Sequence, residues 1–237
     1  MTKIVFAASL AVCACMMGSP VAGHAQQPPS PAATATASLF TPGNQVPPGK
    51  VPFTLRKAFH RLAHDRTESM PFAETRTFAI SKNPLRQNGT LRSSKDHGLS
   101  LAYESAKPHV IIVDDQGLIE RQPDGHERQV SIADHPELGT LTDLYLNLLR
   151  GNADKLFAYA DVYFTGTAQV WQMGLIPHDA NLAKRLGKVV VSGGGRDILR
   201  LENLLPNGES RTLDFGKVER NPIYPADVMQ KYFRAGS

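Results

Sequence analysis

The chain is 237 residues long, 41% hydrophobic and 20% charged, with a formal net charge of +4 from 26 basic and 22 acidic residues. That length allows one domain or two small ones, and so mild a charge excess, with no Lys/Arg block, excludes a nucleic-acid arm and a polybasic membrane patch. The only long apolar run is N-terminal, which excludes a multispanning membrane protein, and 19 Gly with 17 Pro exclude a collagen-like or wholly disordered chain.

The N-terminus reads as an export signal. Lys3 supplies a short positive region, Ile4 to Met17 an uncharged, mostly apolar run, and Gly18-Ser19-Pro20 a break. Gly23-His24-Ala25 offers a small-x-small cleavage site before Gln26, so residues 1–25 are expected to be a removed signal peptide. The run is short for a permanent membrane anchor. Leu10-Ala11-Val12-Cys13 and Val12-Cys13-Ala14-Cys15 also look like lipoprotein cleavage boxes, which leaves lipidation at Cys13 or Cys15 as the alternative. The later site fits the length of the apolar run better. Both cysteines of the sequence lie in this signal. Without it the chain would have no thiol nucleophile, no cysteine-bound zinc and no disulfide, and its core alone must hold it together.

Residues 26–52 are rich in Pro, Ala and Thr with little periodicity, which predicts a disordered tether ahead of one domain over 53–237. Leu55, Phe59 and Leu62, with Ala58 and Ala63, share one face of a helix over 53–66. The period then becomes two. Met70, Phe72, Phe78 and Ile80 share a strand face that Glu74 and Arg76 interrupt. Asn88-Gly89 reads as a turn before a polar strand, Thr90 to Lys95. Leu99, Leu101 and Tyr103 alternate along the next strand. His109 to Val113, Leu118 to Gln122 and His126 to Ile132 follow, joined by turns at 114–117 and 123–125 that are too short for parallel crossovers.

The period returns to 3.6 at Pro136. Leu138, Leu141, Leu144 or Tyr145, Leu148 and Leu149 form an apolar stripe, and Arg150-Gly151 stops the helix. Residues 152–157 give one further turn. A second strand series runs through 160–164 and 170–175, then a short helix over 181–186. Strands follow at 188–192, 197–204 and 209–215, with turns at 193–195 and 206–208. The pattern predicts an α+β domain with ten to twelve antiparallel strands in one curved sheet. The helices near 53–66 and 137–150 should pack on its concave side.

Motifs for chemistry fail on inspection. His60 and His64 have metal-ligand spacing on a helix, but Arg61 stands where a zincin needs Glu, and nothing places a third ligand; an exposed pair is the simpler reading. Gly193-Gly194-Gly195 precedes a strand rather than a helix, so it reads as a hairpin turn and not a phosphate loop. There is no G-x-S-x-G elbow. Asp114-Asp115 is simplest as part of a turn, and Asn88-Gly89-Thr90 matches a glycosylation sequon that matters only in a eukaryotic secretory route. No catalytic residue, no metal site and no cofactor is expected, and no enzyme. The strands instead carry large apolar side chains on one face: Trp171, Met173 and Leu175, and Leu99, Leu101 and Tyr103. Such a face is either plain core or the lining of a cavity in a curved sheet, and periodicity does not separate the two.

A family resemblance bears on that choice. Phe72-x-Glu74-x-Arg76-x-Phe78, Gly89-Thr-Leu91 followed by Gly98-Leu-Ser-Leu-x-Tyr103, Pro108 to Gly117 ending in a turn, Leu148-Leu149-x-Gly151, Gln169 to Pro177, and the hairpin from Leu204 to Phe215 occur in one order. That order, over residues 53–217, resembles the periplasmic outer-membrane lipoprotein carriers, the LolA-like family. The resemblance implies an unclosed, strongly curved antiparallel β-barrel, a half-barrel, with helices lidding an apolar cavity. It implies a periplasmic carrier in a Gram-negative type of cell, acting as a monomer on acylated lipoprotein or lipid cargo between an inner-membrane donor and an outer-membrane acceptor, with no nucleic acid. The expected cavity residues are Phe72, Phe78, Leu99, Leu101, Tyr103, Leu141, Leu144, Leu148, Trp171, Met173 and Leu175. The family has an Arg-Pro pair ahead of the strand matching Leu99 to Tyr103, and its Arg helps lock the lid. Here Lys95-Asp96 stands nearest, which makes Lys95 the expected lid contact and points to a divergent subgroup. A membrane-anchored LolB-like acceptor, or a lipid sensor of the same fold, is the alternative, and it would need lipidation at Cys13 or Cys15.

Overall fold

The computed structural model describes residues 38–62 and 65–234. The expected signal peptide, residues 26–37 of the expected tether, and His64 lie outside them. Among the described residues thirteen strands form a single sheet in which every pairing is antiparallel. One meander comprises β2 (Thr67–Thr77), β3 (Leu85–Ser94), β4 (Gly98–Tyr103), β5 (His109–Asp114), β6 (Gly117–Arg121) and β7 (Glu127–Ser131). A second comprises β8 (Ala160–Gly166), β9 (Val170–Pro177), β10 (Lys188–Gly194), β11 (Asp197–Leu204) and β12 (Ser210–Phe215). Strand β12 returns to pair with β2, which joins the two meanders into one surface. The short strands β1 (Gln45–Val46) and β13 (Glu219–Arg220) pair with β8 and with the start of β2. The sheet ends at β1 on one side and at β7 on the other, and these two edges do not pair, so the barrel is open.

Helices with both ends among the described residues accompany it: α1 (Phe53–Leu62), α2 (Pro136–Leu149), α3 (Ala153–Leu156), α4 (Ala180–Leu186) and α5 (Ala226–Tyr232). Because side chains alternate along a strand, each strand gives one row to the concave face. Those rows merge with Leu55, Ala58 and Phe59 of α1 and Leu138, Leu141, Leu144 and Leu148 of α2 into one buried cluster. The helices therefore roof the concave face. Trp171 lies within it, its ring centroid 6.4 Å from that of Phe59. Its indole also lies against Gly193, where a Cβ would approach the ring to 2.0 Å, so only glycine fits there.

The structure corrects four expectations. Residues 38–52 are not a tether: Leu39, Val46 and Val51 are buried, and β1 adds to the sheet edge. Leu39 and Phe40 lie over Gly174 on the outer face, and Phe40 meets Tyr163 edge-on at 5.3 Å. A short apolar pair among prolines has no period, so composition hid it. Phe78 does not line the interior. It lies one residue beyond β2 and is half-buried, and Ile80 is 99% exposed, because the chain turns away there with Ser81 N–H donating to the Phe78 carbonyl. Asn88-Gly89 is not a turn but the middle of β3. Gly89 is required there because the Phe72 ring lies over it, 2.6 Å from where a Cβ would stand, and meets Tyr103 edge-on at 5.3 Å. Helix α1 stops at Leu62, short of the expected 66.

The C-terminal segment is an addition that strand reading missed. Arg92, Ser100, Ile112 and Ile119 are register neighbours across β3 to β6 on the outer face. Ser100, Ile112 and Ile119 are nonetheless buried. Over this region lies the segment that ends the chain. The Arg92 guanidinium stacks 3.9 Å from the Tyr232 ring centroid, Arg234 pairs with Asp114 at 2.5 Å, and Phe233 is buried beside Tyr224.

If residues 38–52 belong to the fold, Leu39→Ala should lower stability by about 3 kcal/mol, the usual cost of truncating a fully buried leucine. Chemical denaturation measures this; a change near zero would return the segment to a tether.

Candidate functional site

The roofed concave face encloses a large apolar cluster, and its composition is uneven. Leu91 of β3, Leu99 and Leu101 of β4, Ile198 and Leu201 of β11, and Leu213 and Phe215 of β12 border a cleft with a volume of about 40 Å³. Tyr145 of α2 and Arg211 of β12 complete its wall. That cleft holds a few waters at most.

Of the expected cavity residues, Phe72, Leu99, Leu101, Tyr103, Leu141, Leu144, Leu148, Trp171, Met173 and Leu175 all sit in the buried interior cluster. Leu99 and Leu101 border the cleft itself. Tyr103 meets Phe72 edge-on and accepts from Arg211 of the cleft wall, and Trp171, Met173 and Leu175 are fully buried, Trp171 beside Phe59 of α1. Phe78 stands apart, as above.

A polar cluster is built into this face. Asn203, Arg211 and Arg76 are register neighbours across β11, β12 and β2. Glu74 is one inward position along from Arg76 and is 1% exposed. Its carboxylate accepts from Arg76 Nε and Nη2 at 2.9 and 3.0 Å, and from Arg211 Nε. Arg211 Nη2 donates to the Tyr103 hydroxyl at 2.9 Å. Asn203 Nδ2 donates to the Tyr145 hydroxyl at 3.1 Å, which ties α2 to the sheet floor. Burial raises the pKa of the Glu74 carboxyl, but Arg211 and Arg76 outweigh burial and hold it below its ordinary value. Burial lowers that of Arg211, while Tyr103, Glu74 and Tyr145 more than offset the loss and hold the guanidinium charged. The Tyr103 and Tyr145 phenols are pushed up by burial and stay neutral.

At the other end of α2 the roof touches the sheet again. Arg150, which caps the helix, donates from Nη2 to the main-chain carbonyl of Lys95 at 3.2 Å. Lys95 is therefore at the contact, but its main chain accepts and the helix provides the guanidinium. Asp65, Glu68, Ser94 and Leu146 line a small recess of about 20 Å³ beside it. Glu68 is unusual. Burial and the nearby Asp65 push its pKa up to about 7, against a partial offset from Arg220. Arg220 pairs with Asp65 at 3.3 Å and with Asp197, and Asn221 donates to Asp65 at 2.8 Å. Among the described residues no group of His, Cys, Asp and Glu could hold a metal ion.

Sequence reasoning missed Arg211, Asn203, Tyr145 and Arg150 as site residues. The signal was present for two of them: Asn203 shares parity with Leu201 and Arg211 with Leu213, just as Glu74 and Arg76 share parity with Phe72, so polar residues on an inward face were readable from period two alone. The contacts of Tyr145 and Arg150 with the sheet depend on how α2 crosses it.

The architecture is thus an open antiparallel barrel whose helix-roofed, mostly apolar interior carries a buried ionic cluster. The family model described as outer membrane lipoprotein carrier protein, LolA-like, matches residues 53–221, and the chain belongs to that family. No protein with a curated description matches it. Similar solved structures include a DUF1329 family protein from Desulfovibrio piger, at 9% identity over 74% of this chain and 93% of that one, with a TM-score of 0.42. A LolA superfamily protein from Nitrosomonas europaea is 11% identical over 74% and 94%, TM-score 0.40. The Mycobacterium tuberculosis lipoprotein LppX is 13% identical over 72% and 94%, TM-score 0.41.

Two outcomes follow from the charges. Glu74→Gln leaves two guanidiniums buried without their carboxylate and should cost about 3 kcal/mol at neutral pH, read as a lower denaturation midpoint. An unchanged midpoint would mean that the cluster is solvated. For Glu68, a folded-state pKa of about 7 against an ordinary 4.5 means that its contribution to stability is full below about pH 4.5 and is lost as pH rises through 7. Glu68→Gln should therefore be the more stable protein at about pH 8, by roughly 1–2 kcal/mol, and equal to the wild type at about pH 4. Equal stability at both pH values would contradict it.

Proposed function

We propose that this chain is an extracytoplasmic carrier that takes acyl chains of lipoproteins, or of a related lipid-linked product, under its helical roof and moves them toward the outer membrane. The observation that carries the reading is the roof: α2 closes an apolar concave face that no second sheet covers, and hydrogen bonds at Tyr145 and Arg150 tie it to the strands. Membership in the LolA-like carrier family supports it. The expected export signal at residues 1–25 supports a periplasmic location, with a donor on the inner membrane, an acceptor on the outer one, and a monomer in transit.

The energetics are compatible with a lid that exchanges partners. Closing α2 buries leucines worth roughly 1.5–3 kcal/mol each, and an acyl chain entering beneath it buries about 0.8 kcal/mol per methylene. One set of apolar contacts replaces another, so filled and empty states can lie close in free energy. The few polar ties then set how readily the roof opens. No covalent step is needed, and the reading is of a carrier rather than an enzyme.

The test is lipid mass spectrometry of the protein purified after export from a Gram-negative host, with the mature N-terminus determined in the same sample. Acyl lipid bound to a chain starting at Gln26 supports the soluble carrier. An acylated cysteine at the N-terminus would make it a membrane-anchored acceptor, and protein free of lipid that also refuses a fluorescent acyl probe would refute the reading. Arg150→Ala should speed release of that probe about fivefold, as expected for losing a hydrogen bond worth about 1 kcal/mol.

A further inference from the structure

Among the described residues, four buried side-chain atoms lack a hydrogen-bond partner: Arg92 Nη1, Ser100 Oγ, Arg220 Nε and Trp171 Nε1. Arg92 and Ser100 lie on the outer face, under the C-terminal segment, and Arg220 Nε keeps the Asp65 carboxylate at 3.3 Å. Of the four residues, Trp171 alone belongs to the apolar cluster under the roof. It is 1% exposed, so its indole N–H has left water without gaining an acceptor. A donor buried in that way bears its whole desolvation cost, and buried tryptophans ordinarily find a partner.

The fold makes a second concession to the same ring. Gly193 faces Trp171 across the β9–β10 ladder, and a Cβ there would stand 2.0 Å from Cζ2 and 2.2 Å from Cε2, the carbon bonded to Nε1. Gly193 lacks the left-handed backbone that calls for glycine, so the indole itself excludes a side chain. Phenylalanine at 171 would pack in the interior with no polar atom to bury. A trapped water is a poor answer, because it needs about two to four polar partners, whereas Phe59 beside the ring and Met173 and Leu175 along β9 are apolar. Resting on the reading of this interior as an acyl-chain site, we propose that Trp171 Nε1–H donates to the carbonyl oxygen of a bound acyl ester or amide. The carbonyl reaches the indole as Phe59 of α1 gives way, and the hydrocarbon then lies along Met173 and Leu175. The donor is neutral and set among apolar groups, which suits an uncharged carbonyl and not a free carboxylate. The contact therefore places the acyl linkage, and not only its chain, under the roof.

The test compares methyl palmitate with octadecane, a chain of matching length without a carbonyl, each competing with a neutral fluorescent acyl probe on the purified protein. The sequence has one tryptophan, so its indole N–H gives a single cross-peak in a nitrogen-15 correlation spectrum. The proposal expects methyl palmitate to move that proton downfield, as a new hydrogen bond does, and octadecane to displace the probe without doing so. Trp171→Phe should weaken methyl palmitate about fivefold, the ratio given by a hydrogen bond of about 1 kcal/mol, and leave octadecane unchanged. If that variant does not fold, the cross-peak of the wild type decides the matter. Ester and alkane moving the peak alike while both displace the probe would overturn the carbonyl contact and leave acyl binding intact. A variant that weakens both ligands equally would make Trp171 a packing residue and overturn it too. A protein that binds neither the probe nor either competitor would overturn both this inference and the carrier reading.

Discussion

An antiparallel sheet that curves without closing leaves its concave face without a partner layer, and everything else in this molecule answers that constraint. A sandwich would cover the face with a second sheet, and a closed barrel would fill its own interior. Here β1 and β7 do not pair with each other, and helices α1 and α2 supply the missing layer. The roof is therefore a large part of the hydrophobic core that strand hydrogen bonds do not hold. The outer face is handled separately. Leu39 and Phe40 lie over β8 and β9, and the C-terminal segment lies over β3 to β6, so both ends of the described chain shield the sheet from the other side.

The buried charges make sense only within that arrangement. On a solvated sheet Glu74, Arg76 and Arg211 would be an ordinary surface ionic cluster. Under the roof they are desolvated, and they fix the register at which β12 meets β2, because Arg211 must lie beside both Arg76 and Glu74. The same cluster lies below Tyr145 through Asn203, so the helix and the charge network share a boundary. Opening the roof would expose the polar floor and the apolar slot together, which suits a ligand with both kinds of surface.

Much of this was legible in the sequence where local pattern decides structure. The meander of β4 to β7, the stripe of α2 and the inward parity of Trp171, Met173 and Leu175 follow from periods of 2 and 3.6. The failures came where tertiary contacts override local chemistry. Asn88-Gly89 has turn composition, yet it lies mid-strand because Gly89 makes room for the Phe72 ring. Phe78 keeps the right parity but follows the last paired residue of β2. Leu39 and Phe233 are buried by sheet surfaces far away in sequence, which no window of neighbours reveals. Arg150 meets the Lys95 carbonyl across 55 residues. The strand side of that contact was anticipated; that its donor comes from the helix follows only from the packing of α2.

The central claim is that α2 is a lid as well as a core element. Hydrogen exchange, resolved by segment, tests it most directly. The account predicts that amides of 138–148 exchange through a local opening of lower free energy than those of β9 and β10, and that an acyl ligand slows them selectively. Exchange of α2 only through global unfolding, at the same free energy as the central strands and unchanged by ligand, would contradict it.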